Sequence, residues 1–180
     1  MPTLRGQLLI AGPGLFDPNF RRTVVLIGEH NDEGALGVVL NRPADLEVQG
    51  VIPVLAGVVG PGERLFVGGP VQPEGAVILA ELADPGLADV PVFGSIGFLT
   101  GDVEAAAAKA ITRARVFAGY AGWGPGQLEN ELEEDSWILE AALPDDVFTA
   151  DPEGLWTAVL RRKGAKYRLL STMPLDPSLN

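Results

Sequence analysis

The chain has 180 residues, 47% of them apolar, and no cysteine. That suits a single packed domain, and the missing thiols exclude disulfides, thiolate nucleophiles, Cys-ligated zinc and iron–sulfur clusters. The formal net charge of −11 repels nucleic-acid phosphates, so direct nucleic-acid binding is not expected.

Gly6 to Ala11 reads as a short strand stopped by Gly12-Pro13-Gly14, and its apolar run is too short for a secretory signal. Leu15 to Arg22 is a loop punctuated by Asp17-Pro18. Thr23 to His30 is apolar and β-branched almost throughout, which predicts a strand buried on both faces. Asn31-Asp32-Glu33-Gly34 is a turn cluster, and Ala35 to Leu40 is a second apolar run. The two runs predict a β-hairpin, ended by Asn41-Arg42-Pro43. Frequent Gly and Pro between Ala44 and Gly62 leave room for at most a short helix. Leu65 to Val67 and Ala76 to Glu81 predict strands around the Gly68-Gly69-Pro70 turn. Asp84 to Pro91 is loop, and Val92 to Leu99 an irregular strand.

In the second half, Asp102 is an N-cap candidate for a helix through Lys109. Ala114 to Tyr120 predicts a strand and Pro125 to Asp135 a helix, with Pro125 near its first position. Leu128 and Leu132 form its apolar stripe, and Glu129, Glu131, Glu133 and Glu134 are expected to face water. Ser136 to Leu139 is a strand and Asp145 to Phe148 a helical turn. Asp151 caps a last helix that buries Leu155, Trp156, Val159 and Leu160 and stops at Gly164. One domain is expected over residues 1–170, with a frayed tail over 171–180. A hairpin followed by strands mixed with helices favours an α+β or mixed-sheet α/β fold. No run approaches the roughly 20 apolar residues of a bilayer span. A cytoplasmic protein without membrane contact is expected.

Charge is uneven: between Val116 and Leu160 lie ten acids and no Lys or Arg. The basic residues from Arg161 to Arg168 read as a solvated helix end. The usual catalytic signatures are missing. One histidine, His30, forbids a multi-His metal centre and leaves a triad no other base. Ser95, in Phe93-Gly94-Ser95-Ile96-Gly97, misses a nucleophile elbow because Phe93 replaces its first glycine. No Walker A loop, dinucleotide fingerprint or EF-hand pattern is present, and no cofactor or metal is expected.

Three segments can carry a site. Gly119-Tyr120-Ala121-Gly122-Trp123-Gly124-Pro125-Gly126-Gln127 joins a strand to a helix, with amides at the helix start and Trp123 as a possible apolar wall. Leu40-Asn41-Arg42-Pro43 presents an amide and a guanidinium at a strand end. Phe66-Val67-Gly68-Gly69-Pro70-Val71 suits a backbone wall against a ligand. Each also reads as an ordinary turn. His30 can be a general base or a structural ring.

These segments, with Gly6 to Ala11, Asp17 to Val25, Glu29-His30 and Gly34 to Pro43, occur in an order that resembles the YqgE/AlgH family of bacterial proteins. The resemblance runs from about Arg5 to Gly164. It implies a mixed, largely antiparallel sheet between helical layers, three-layer α/β/α-like, in the bacterial cytoplasm. One branch of the family carries a transcriptional-regulator label, but no helix-turn-helix is visible in this sequence. The alanine-rich Asp102 to Lys109 departs from the family's pattern. Family motif positions fall on Arg22, Thr23, His30, Asn41, Arg42, Gly68, Gly69, Tyr120, Trp123 and Gln127. The expectation is a non-catalytic or regulatory module in which Asn41-Arg42 and Trp123-Gln127 meet at one cleft, for a small molecule or a protein partner. The alternative is a hydrolase or transferase using His30 or a carboxylate as base in that cleft.

Overall fold

The computed structural model describes residues 2–100 and 102–173. Ten strands are present among them: β1 (Gln7–Ala11), β2 (Val24–Asn31), β3 (Gly34–Val39), β4 (Pro43–Glu47), β5 (Arg64–Val67), β6 (Val71–Leu82), β7 (Val90–Phe93), β8 (Ile96–Leu99), β9 (Ile111–Trp123) and β10 (Trp137–Ala141). The helices are α1 (Val48–Val51), α2 (Ala105–Ala110), α3 (Gln127–Glu133), α4 (Pro144–Val147), α5 (Leu155–Lys163) and α6 (Ala165–Ser171). The fold is mixed α/β with one large sheet in the order β10-β1-β2-β3-β9-β6-β8-β7. Among the described pairings β5 with β9 is parallel, and the others are antiparallel.

The sheet curls on itself. Five strand spacings separate β2 from β7 along the sheet, about 24 Å if it were flat. Yet β2 and β7 touch, and a methyl at Gly28 would lie 2.3 Å from the Phe98 ring. Alternation along the strands explains why apolar runs suffice. Leu8, Ile10, Val24, Leu26, Val38 and Phe117 point to the concave side, where Trp156 and Leu160 of α5 join them. Leu9, Val25, Ile27 and Val39 point outward, beneath Leu128 of α3 and the rings of Trp123 and Trp137. A third group, under α1 and α2, covers the outside of β6 and β8. Both faces of β1 beyond Gln7 and of β2 as far as Gly28 are therefore buried; for β2 the apolar run Thr23 to His30 predicts this, but Glu29 and Asn31 at its end are exposed.

Several boundaries move. Val92 to Leu99 is a hairpin of β7 and β8 turning at Gly94, which adopts φ +53. Asp102 does not cap α2; Glu104 holds the N-cap position and its side chain makes no cap bond. Pro125 precedes α3, because Gly126 takes the N-cap with φ 74. Asp151 accepts the Gly154 amide and starts a 3-10 turn leading into α5. Beyond Gly164, a further helix, α6, carries the chain through Ser171. Of the tail expected to fray, residues 174–180 lie outside the described residues.

Candidate ligand-binding site

The hairpin-end residues are committed to the loop before β2. Asn41 Oδ1 accepts from the Val24 amide at 2.9 Å, and its Nδ2 donates to the Arg22 carbonyl at 2.9 Å. The Arg42 guanidinium donates to the carbonyls of Pro18 (2.9 Å) and Arg21 (3.1 Å). Partial burial and neighbouring Arg21 lower the Arg42 pKa from its ordinary value, against Asp17, which raises it. Thr23 is fully buried and donates to the Phe20 carbonyl at 2.6 Å. Arg22, at φ 54, lies 4.6 Å over the Trp156 ring and donates to the Met173 carbonyl.

The Trp123 turn forms a second group. Trp123 is 7% exposed and packs with Phe20 and Trp137 at centroid distances of 6.3 and 6.1 Å. Glu131, expected to face water, instead gathers three donors: Trp123 Nε1 at 3.1 Å, Trp137 Nε1 at 2.9 Å and Gln127 Nε2 at 3.0 Å. Gln127 Oε1 accepts the Gly124 amide at 3.0 Å, so the turn satisfies one of its own donors. His30 belongs to this side. Its Nδ1 accepts the Leu4 amide at 3.0 Å, which leaves the proton on Nε2, 2.7 Å from Glu129 Oε1. The bond from His30 is the first cause holding the Glu129 carboxyl below its ordinary pKa. With its side chain 3% exposed and both nitrogens occupied, His30 has no lone pair free to take a substrate proton.

Gly68 and Gly69 form the third setting. Gly68 donates to the Ala118 carbonyl and accepts from Val39, so it ties the ends of β3 and β5 to β9. A methyl on Gly69 would fall 2.2 Å from the Tyr120 carbonyl. The close approach that the sequence reserves for a ligand is made here by β9. The two groups expected to share a cleft touch through Phe20 of the loop instead. Among the described residues, two cavities contain members of the expected set. Tyr120 lines one and Trp123 the other, whereas Arg22, Asn41, Arg42, Gly68, Gly69 and Gln127 line neither.

The first of these cavities lies where the concave side opens at the β2–β3 end. It has a volume of about 190 Å³ and is lined by Leu36, Val38, Val77, Val90, Phe98 and Tyr120, together with the exposed Glu29. Val38 belongs to the inner core, and Val77, Phe98 and Tyr120 pack against it. Leu36 shares that face but is 40% exposed. Only Tyr120 was anticipated. The other walls read as ordinary strand residues, and curling brings β6, β8 and β9 to the hairpin. Among the described residues, no group of three or more His, Asp or Glu is placed to hold a metal ion.

A curled, mostly antiparallel sheet with helices packed on both of its faces and an open apolar end defines the class of domain. A family model described as AlgH-like matches residues 8–168, and the chain belongs to that family, the YqgE/AlgH proteins. It is similar to the UPF0301 protein of Streptomyces avermitilis, 46% identical over 189 residues covering 99% of this chain and 96% of the relative. The UPF0301 protein of Mycobacterium tuberculosis is 45% identical over 182 residues, covering 97% and 90%. Among solved structures, a Corynebacterium diphtheriae protein superposes with a TM-score of 0.86 at 31% identity, covering 96% of this chain and 93% of its own. The AlgH protein of Pseudomonas aeruginosa does so with a TM-score of 0.71 at 31% identity, covering 96% and 95%. No described helix is long and apolar enough to cross a membrane.

Proposed function

We propose that this chain is a cytoplasmic small-molecule-binding module, without catalysis of its own, whose ligand sits in the apolar cavity at the open end of the curled sheet. The observation that carries the reading is that cavity: preformed, apolar-walled, and with Glu29 as the one charged residue among those lining it to orient a ligand. The walls come from β3, β6, β7, β8 and β9, so occupancy would couple strands far apart in sequence. That coupling would suit a regulatory role toward a protein partner. The alternative of a hydrolase or transferase loses His30 as its base, because both ring nitrogens are engaged, and the carboxylate left to it, Glu29, has no Ser, Thr or Lys beside it in this cavity.

The test is a thermal-shift screen against a metabolite library, on the whole chain and on Leu36→Lys. Leu36 is exposed, so the variant folds while placing an ammonium in the cavity mouth. A ligand at about 100 times its Kd raises Tm by roughly 5 °C or more. The expected result is hits whose shift disappears in Leu36→Lys. Hits that survive it unchanged would place the binding elsewhere and overturn the reading.

A further inference from the structure

We infer that the ligand of this cavity is an organic cation, an apolar group lying beside Tyr120 and Phe98 that carries an ammonium held at Glu29. The inference rests on the reading that the apolar cavity binds a small molecule, and it adds the sign of that molecule's charge.

Glu29 stands opposite Leu36 across the hairpin, just after an irregularity between Ile27 and Glu29. A second cavity of about 240 Å³ adjoins that pair, lined by Glu29, Asn31, Glu33, Ala35, Leu36 and Trp123. Glu29 and Leu36 therefore border both spaces. No Lys, Arg or His lines either one. Among the described residues, Glu29 and Glu33 join none of the ion pairs, whereas Glu81, Glu129 and Asp146 each hold a cation or His30.

The energetics then select a charge. A ligand that fills the apolar space and reaches its edge takes water from the Glu29 carboxylate. A neutral or anionic group leaves that carboxylate unpaired, whereas an ammonium offsets the loss with a charge-assisted bond. An exposed ion pair alone is worth little, so affinity has to come from the apolar wall and discrimination from Glu29.

The probes are three six-carbon chains, hexylammonium, hexanol and hexanoate, titrated against the whole chain while amide shifts of Leu36, Val38 and Tyr120 are followed by NMR. Hexylammonium is expected to bind about tenfold tighter than hexanol, with hexanoate weakest. Glu29→Gln is expected to bring the ammonium and the alcohol within about twofold of each other, and added salt to narrow the gap. Glu29 is exposed and makes no ion pair among the described residues, so the variant folds. Equal binding of hexanol and hexylammonium, or a preference that survives Glu29→Gln, overturns the cation while the apolar site stands. Failure of all three probes to move those amides overturns both.

Discussion

His30 and Glu129 show how a residue's partners decide its chemistry. The ring sits between the Leu4 amide and the Glu129 carboxylate, 26 and 99 residues away in sequence. Nothing near His30 in the chain announces either one, so the sequence favours a structural or solvated ring over a general base without naming its partners. The Glu129 carboxyl, held low by that bond, makes a signed prediction. A carboxylate whose folded pKa is depressed stabilises the fold above its unfolded pKa, near the ordinary 4.5, and loses that contribution as pH falls through the folded value. Glu129→Gln should therefore be less stable than the parent at pH 7, by about 1 kcal/mol. The gap should shrink on acidification below 4.5. Urea unfolding at pH 7 and at acid pH checks this, and an equal gap at both would refute it. Glu131 makes the same point about legibility: its position in an acidic helix reads as solvated, yet two tryptophans from different strands donate to it.

Among the elements, those formed by local patterning were legible. The β2–β3 hairpin, α5 and the short α4 follow from apolar runs, turn residues and an Asp-Pro start. Elements completed by distant partners were under-read. β9 extends from Ile111 to Trp123, well beyond Ala114 to Tyr120, because β3, β5 and β6 pair with its different parts. α6 follows Gly164, which reads as a stop but here joins two helices at φ 142. The loop before β2 depends on Asn41 at the far end of the hairpin. Asn41→Ala would strand the Val24 amide and the Arg22 carbonyl at a half-buried site, costing about 2 kcal/mol. Native-state hydrogen exchange should show the Val24 and Thr23 amides opening faster, while Leu36 and Tyr120 keep their protection. Unchanged exchange at Val24 would remove the clamp.

For the whole molecule, the decisive place is the crossing of β3, β5 and β9. Gly69 holds φ 155 there, and a methyl would meet the Tyr120 carbon and oxygen and the Ala121 nitrogen at 2.2, 2.2 and 2.5 Å. Those atoms are backbone and cannot swing aside. Gly69→Ala should therefore cost about 3 kcal/mol or more in chemical denaturation, and a cost under about 1 kcal/mol would contradict this packing. The same crossing separates what was readable from what was not. Composition, apolar runs and turn residues by themselves determined an acidic, cysteine-free mixed α/β chain and its central hairpin, because those depend on local periodicity, while the family came from the resemblance of its ordered motifs. The tertiary structure alone decided that the sheet curls until Phe98 reaches β2. Asn41 and Arg42 are consumed by the loop before β2 and Gly69 by β9, while the curl leaves Leu36, Tyr120 and Glu29 around an open end, since which side chains remain uncovered depends on contacts between strands distant in sequence.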